Sequence, residues 1–302
     1  MKMRRNKMLQ IKLSVEHDEH ILSAWMRYNL RSGFAHMPFD NCLNYWGLPK
    51  QHLKAQRVAG QSLETIVNQV SIREYSKLTI MLEHTNARLW SLSSEEPIQL
   101  AELSNTISRP NLENAGLSFS TNWKLCPKCI LEDKKVLGFS YWRRSHQLPS
   151  IAHCQAHQEP LFSQIDLLQM KQLALPEKYL NSASQSVVNE SQLIDWSLFV
   201  AHIDNMLKAG SIELETLRQK ILDHLKIKPI AKFKDRSKYQ DLSNEMFSDI
   251  GKSITSHLFT LQKGKYQNVI WQLLSGKDNR SSLINPVYWL VVMYWLRNEL
   301  RI

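Results

Sequence analysis

Two short pairs of residues constrain this chain most tightly: Cys126-Pro127-Lys128-Cys129 and, after 24 further residues, Cys154-Gln155-Ala156-His157. Each pair offers two soft or borderline ligands across two spacer residues, so the four side chains can converge on one tetrahedral ion with bonds of about 2.0–2.3 Å. Zinc is the natural occupant. Cobalt or iron suits the same ligands, but a closed Cys3His set is far commoner as structural zinc. With all four positions supplied by protein, no coordination site stays open for water, and the ion is expected to hold the fold rather than to hydrolyse anything. A thioredoxin-like redox pair would need no second Cys/His pair, and a disulfide is unexpected in a reducing compartment. His146 and His153 are alternative ligands, although His153 adjoins Cys154 and points away from it in extended backbone. The remaining cysteine, Cys42, lies among aromatic residues and reads as a small buried hydrophobe.

The rest of the chain reads as mainly helical. Only 9 Gly and 10 Pro occur in 302 residues, which argues against a turn-rich β-sandwich, and 43% hydrophobic with 22% charged residues is the balance of a packed globular protein. Lys and Arg number 38 against 28 Asp and Glu, a net charge of +10 that favours an anionic partner, nucleic acid first. The start MKMRRNKM is basic, but Ile11 to Val15 is too short and polar for a secretory signal, so a cytoplasmic location is expected. The longest apolar run, Val287 to Leu296, has half of the roughly 20 residues that a membrane span needs and is expected as a buried helix.

Around the two pairs the chain reads Trp123-Lys124-Leu125-Cys126-Pro127-Lys128-Cys129-Ile130-Leu131-Glu132-Asp133, then Tyr141-Trp142-Arg143-Arg144-Ser145-His146-Gln147-Leu148-Pro149-Ser150-Ile151, and closes on Cys154 to Leu161. This resembles the TniQ/TnsD target-selection proteins of bacterial transposons. That family has a Cys-Pro-x-Cys pair followed by acids, a Tyr-Trp with basic neighbours, a Gln-Leu-Pro turn, and Cys-x-x-His ending near Pro-Leu. Gln158 departs from it, standing where the family usually has Gly. The segment Asp18 to Tyr28, with Ile21, Leu22, Trp25 and Met26 at helical spacing and acids at its start, is similar to the family's opening helix, although the Pro-rich lead-in is absent. The resemblance implies an adaptor without chemistry of its own. It would bring a DNA target, read directly or through an RNA-guided CRISPR effector complex, to an AAA+ transposition regulator ATPase. Separate transposase subunits would cut and join, and some members act as homodimers.

The expected architecture is an N-terminal helical domain (1–115), a zinc-ribbon segment (116–165) and a C-terminal helical domain (166–302). Leu63 to Leu78 has the pattern of a helix-turn-helix, with Ser71 able to cap the second helix. An ordinary antiparallel helix pair fits the same pattern. Arg73 and Lys77, four apart, could touch phosphate or simply face solvent. Lys226, Lys228, Lys232, Lys234, Arg236 and Lys238 are offset only by Asp235, so this stretch carries half of the chain's excess charge, with Phe233 and Tyr239 interleaved. It is a candidate nucleic-acid contact or a solvated linker. Helices are expected at Asp195–Ala209, Ile212–Leu225 and Leu242–Leu261, with a last one started by Asn285-Pro286. Catalytic signatures are sparse. Ser275-Gly276-Lys277-Asp278 lacks the upstream Gly and the closing Ser/Thr of a phosphate-binding loop. Glu132 and Asp133 could serve a magnesium nuclease, but beside the first pair they read better as supports for the ligands or as surface groups.

Overall fold

The computed structural model describes residues 11–48, 65–68, 70–72, 75–93, 117–120, 122–166, 169–182, 190–227, 236–259, 269–274 and 285–302. Of the sequence features above, Arg73, Lys228, Lys232, Phe233, Lys234 and Ser275 to Asp278 lie outside these residues. Arg236 and Lys238 belong to a helix whose backbone alone is described there.

The chain opens with β1 (Ile11–Lys12) and α1 (Ile21–Arg31). Burial of Ile21, Leu22, Trp25 and Met26 along one stripe of α1 confirms the apolar spacing. The acids before the helix do a different job from the one their position suggests. His20 is the N-cap, accepting from the Leu22 amide through Nδ1 at 3.2 Å. Glu19 is buried and grips Arg27 with bonds of 2.6 and 3.1 Å. Helix α2 (Phe39–Trp46) stops at Gly47, whose φ of 67° lies in the left-handed region where a side chain is disfavoured. Cys42 is fully buried on α2, as expected for a small hydrophobe.

The region read as a helix-turn-helix takes another form. Residues 65–68 are helical, β2 (Val70–Ser71) follows, and the next helix, α3 (Lys77–His84), begins only at Lys77. Ser71 lies in β2 rather than at a helix start, its backbone pairing with Lys12 in a parallel two-strand ladder. The cap of α3 is Ser76, whose Oγ accepts from the Thr79 amide at 3.0 Å. The short α4 (Ala87–Trp90) completes this part.

In the ribbon segment, β3 (Trp123–Leu125) runs antiparallel to β4 (Phe162–Ile165). Between them α5 (Pro127–Leu137) starts directly after Cys126, with Pro127 at its first turn, where its missing N–H costs nothing.

Beyond the ribbon come α6 (Ser191–Lys208), α7 (Leu214–His224), α8 (Arg236–Ile250), α9 (Lys252–Leu258), α10 (Val269–Leu274), α11 (Val287–Trp295) and α12 (Arg297–Leu300). The first two match expectation. The single helix expected over Leu242–Leu261 is two helices, α8 and α9, because Gly251 breaks the ladder with φ of 85°. Asn285 Oδ1 accepts from the Val287 amide at 3.0 Å at the start of α11. That helix is buried from Val287 to Tyr294 on all sides, which accounts for its unbroken apolar run. Among the described residues no helix is long and apolar enough to cross a membrane.

Two hydrophobic cores result, and the ribbon segment is the wall between them. Trp123, Leu125, Ile130, Trp142 and Ile165 join the core around α1 and α2. Cys126, Cys129, Leu148, Ile151, Cys154 and Leu161 join the core of the C-terminal helices. Trp142 thus packs on one side of the ribbon, and Leu148, Ile151 and Leu161 on the other. A ribbon this small cannot build a core of its own, and it borrows from both neighbours.

Candidate metal centre

The two pairs meet because β3 ends at Leu125 and α5 begins at once, which fixes Cys126 and Cys129 within one turn, while a tight loop presents Cys154 and His157 opposite. In that loop the Gln158 amide donates to Cys154 O at 2.7 Å and the Cys154 amide donates to Glu159 O at 2.8 Å. Gln158 takes φ of 54°, left-handed backbone that explains why Gly is favoured at this place. Lys128 clasps Glu159 across the two halves at 2.6 Å.

The ligand atoms of Cys126, Cys129, Cys154 and His157 all lie within 4.8 Å of one another. His157 Nδ1 stands 3.5 Å from Cys126 Sγ, 3.4 Å from Cys129 Sγ and 3.6 Å from Cys154 Sγ, and the last two sulfurs are 3.6 Å apart. A tetrahedral ion bound at about 2.0–2.3 Å requires ligand-to-ligand edges of about 3.3–3.8 Å. The donor set therefore fits a divalent ion of zinc's size. The electrostatics point the same way. Hydrogen bonding to Cys126 and Cys154, followed by burial, raises the Cys129 thiol above its usual range, the response of crowded sulfurs that a cation would relieve.

The frame around these four is equally ordered. His157 turns Nδ1 to the sulfurs and offers Nε2 to Glu132 Oε1 at 3.0 Å, the carboxylate–imidazole arrangement that fixes a ligand's tautomer. Asp133 pairs with Arg143 at 2.5 Å. Both acids weighed for a nuclease are thus taken by structural partners. Of the alternative ligands, His153 is buried away from the four, and His146 sits beside them with Nε2 3.7 Å from Cys129 Sγ.

A cleft of about 630 Å3 opens beside the centre, where all three parts of the chain meet. On its wall Asp204 of α6 accepts two bonds of 2.7 Å from Arg144 of the ribbon segment and one of 3.4 Å from Arg88 of α4. Arg88 also binds Glu83, which takes Lys208 at 2.7 Å. Sequence reasoning missed this knot. One signal for it exists: Trp196, Val200 and Asp204 follow one another at four-residue steps, so the acid stands on the buried stripe of α6. Missed as well were Gln147, whose amide clasps Lys124 and Arg143 through three backbone bonds, and Lys124, a buried lysine that burial pushes down to about 7.

Of the nucleic-acid candidates, Lys77 and Lys226 have described side chains. Lys77 is exposed and bonds Asn68 Oδ1 at 3.1 Å, while Lys226 is exposed just past α7.

Comparison with known proteins adds one finding. The sequence model of the family described as TniQ matches residues 10–161, from β1 through all four candidate ligands. No curated protein matches the chain.

Proposed function

This chain belongs to the TniQ family, and we propose that it is a target-selection adaptor of a bacterial transposon, acting in the cytoplasm without catalysis of its own. The observation that carries this reading is the family match over residues 10–161, which takes in the whole Cys3His segment. In this reading Cys126, Cys129, Cys154 and His157 hold one structural zinc ion, which closes the ribbon and makes it rigid enough to join the flanking helical parts. The adaptor hands a DNA target to an AAA+ transposition regulator, and transposase subunits perform the strand chemistry. The pairing of Glu132 with His157 and of Asp133 with Arg143 supports the non-catalytic role, since neither acid is free to hold magnesium.

The target reaches such an adaptor either by direct contact with DNA or through an RNA-guided CRISPR effector complex. The cluster from Lys226 to Lys238 supports direct contact. Reconstituted transposition tests the main proposal: with regulator, transposase and target supplied, omitting this chain should abolish insertion at the preferred site. Unchanged targeting without the chain would refute the proposal. So would magnesium-dependent nicking by the purified chain that disappears in Glu132→Gln or Asp133→Asn. The mode is read by gel shift at several salt concentrations. If the six cations touch DNA, replacing them with Gln should flatten the slope of log K against log salt by about 0.9 for each phosphate no longer neutralised. If they do not, the slope should stay as it is.

A further inference from the structure

His146 is absent from the four-ligand cluster, yet it is held against it. The residue is 4% exposed, and Nε2 lies 3.7 Å from Cys129 Sγ, within reach of an N–H···S hydrogen bond. A thiolate bound to a metal carries no proton, so in the loaded site the nitrogen must be the donor and the sulfur the acceptor. The backbone under the ring is fixed from both sides. On one side, Ser145 gives its amide and hydroxyl to Asp18 at 2.9 and 2.5 Å. On the other, the Gln147 side chain bonds Lys124 N, Lys124 O and Arg143 O at 2.8–3.0 Å. The residue between two such anchors has little freedom to turn away. His146 also lines the cleft together with Cys129, so its ring stands where solvent would approach that sulfur.

We propose that His146 is a positioning residue of the metal centre: its Nε2–H donates to the Cys129 thiolate, draws off part of the sulfur's charge and shields it from the cleft, slowing release of the ion. This rests on the reading of Cys126, Cys129, Cys154 and His157 as the ligands. Three thiolates around a divalent ion leave an excess negative charge, and a neutral donor at one sulfur relieves it without entering the coordination sphere.

The test uses the full chain loaded with zinc, or with cobalt(II) as a spectroscopic substitute. In His146→Phe, which keeps a ring but removes the donor, transfer of zinc to a competing chelator should be about 10–100-fold faster, the usual range for removing such a partner. His146→Gln, which retains an N–H, should recover most of the difference. The cobalt spectra of both variants should keep the thiolate charge-transfer bands of three sulfur ligands. Equal transfer rates in wild type and His146→Phe would overturn the proposal, as would cobalt d–d bands in His146→Phe showing the loss of a nitrogen ligand, which would mean that His146 itself binds the ion. If His146→Phe fails to fold, the smaller His146→Leu takes its place, and a transfer rate equal to that of wild type would count against the proposal in the same way. Failure of the underlying ligand assignment looks different: the wild type would bind no ion, or Cys126→Ser would bind as well as wild type.

Discussion

Asp204 offers the sharpest test of how the chain is held together. Its carboxylate is 6% exposed, as is the Arg144 side chain, and the two share a pair of 2.7 Å bonds while Arg88 adds a third at 3.4 Å. In Asp204→Asn the shape survives, but the Arg144 guanidinium keeps one hydrogen-bond acceptor of the two and loses its counter-charge, with only the Thr85 carbonyl at 2.5 Å left beside it. Removing one partner of a buried pair costs about 3–5 kcal/mol, because the remaining charge is left without its partner in a poorly hydrated setting. For a chain of 302 residues each kcal/mol moves the melting point by about 1.5–2 °C, so a drop of about 5–10 °C is expected. Calorimetry of the zinc-loaded protein is the assay, repeated at high salt, where a buried pair should show no screening. Because the cost is that of an unpaired charge, Arg144→Met combined with Asp204→Leu should restore most of the stability, with Arg88 still held by Glu83. A single variant that falls by less than about 1 kcal/mol, or a double variant no better than the single one, would refute the reasoning.

Three further outcomes are expected. Cys126→Ser should release its zinc and forfeit the cooperative unfolding of both cores; a folded, metal-free variant would sink the metal assignment. Burial, followed by the charges of Arg144 and His84, lowers the His20 pKa to about 3, so between pH 6.5 and 3 the unfolded chain binds the extra proton and stability falls as pH falls. His20→Asn keeps an acceptor for the Leu22 amide and should lessen the fall between pH 6.5 and 5 by about 2 kcal/mol in urea titrations, whereas identical pH slopes in the two proteins would contradict this. Gln158→Gly should stabilise by about 0.5–1 kcal/mol, since relief of left-handed strain slightly exceeds the entropy that glycine adds to the unfolded chain; a lowered melting point would show that the Gln158 side chain contributes more than its backbone costs.

What was legible in the sequence was local. The Cys/His spacing is dictated by coordination geometry over a few residues, and the apolar stripes of α1 and α6 repeat within each helix, so both could be read directly. What escaped depended on distant partners. Asp204 meets Arg144 across 60 residues and Arg88 across 116, and no local pattern announces that an acid on an apolar stripe has two arginines waiting. The stretch from 63 to 78 carries helical periodicity throughout, yet Val70 and Ser71 leave it to pair with Ile11 and Lys12, a competition decided by a strand from the other end of the domain. Gly251 shows a smaller limit: the apolar pattern runs through it, and only its left-handed φ divides α8 from α9.

The arrangement also gives the proposed structural metal a purpose. Cys126, Cys129 and Cys154 belong to the C-terminal core, while Ile130 and Trp142, only a few residues away, belong to the N-terminal one. Binding energy gained at the four ligands, on the order of 10 kcal/mol for structural zinc, is therefore delivered to the wall that both cores share. Beside that wall, Arg143 and Arg144 are taken up by Asp133 and Asp204. The ribbon is thus a joint, and its cations serve the joint. On the proposed function, phosphate contact draws on cations elsewhere, the stretch from Lys226 to Lys238 holding half of the excess charge. That proposal puts recognition of the target and rigidity of the adaptor in different parts of one molecule, so a variant of Lys226 should weaken DNA binding without moving the melting point, while a variant of Asp204 should do the reverse.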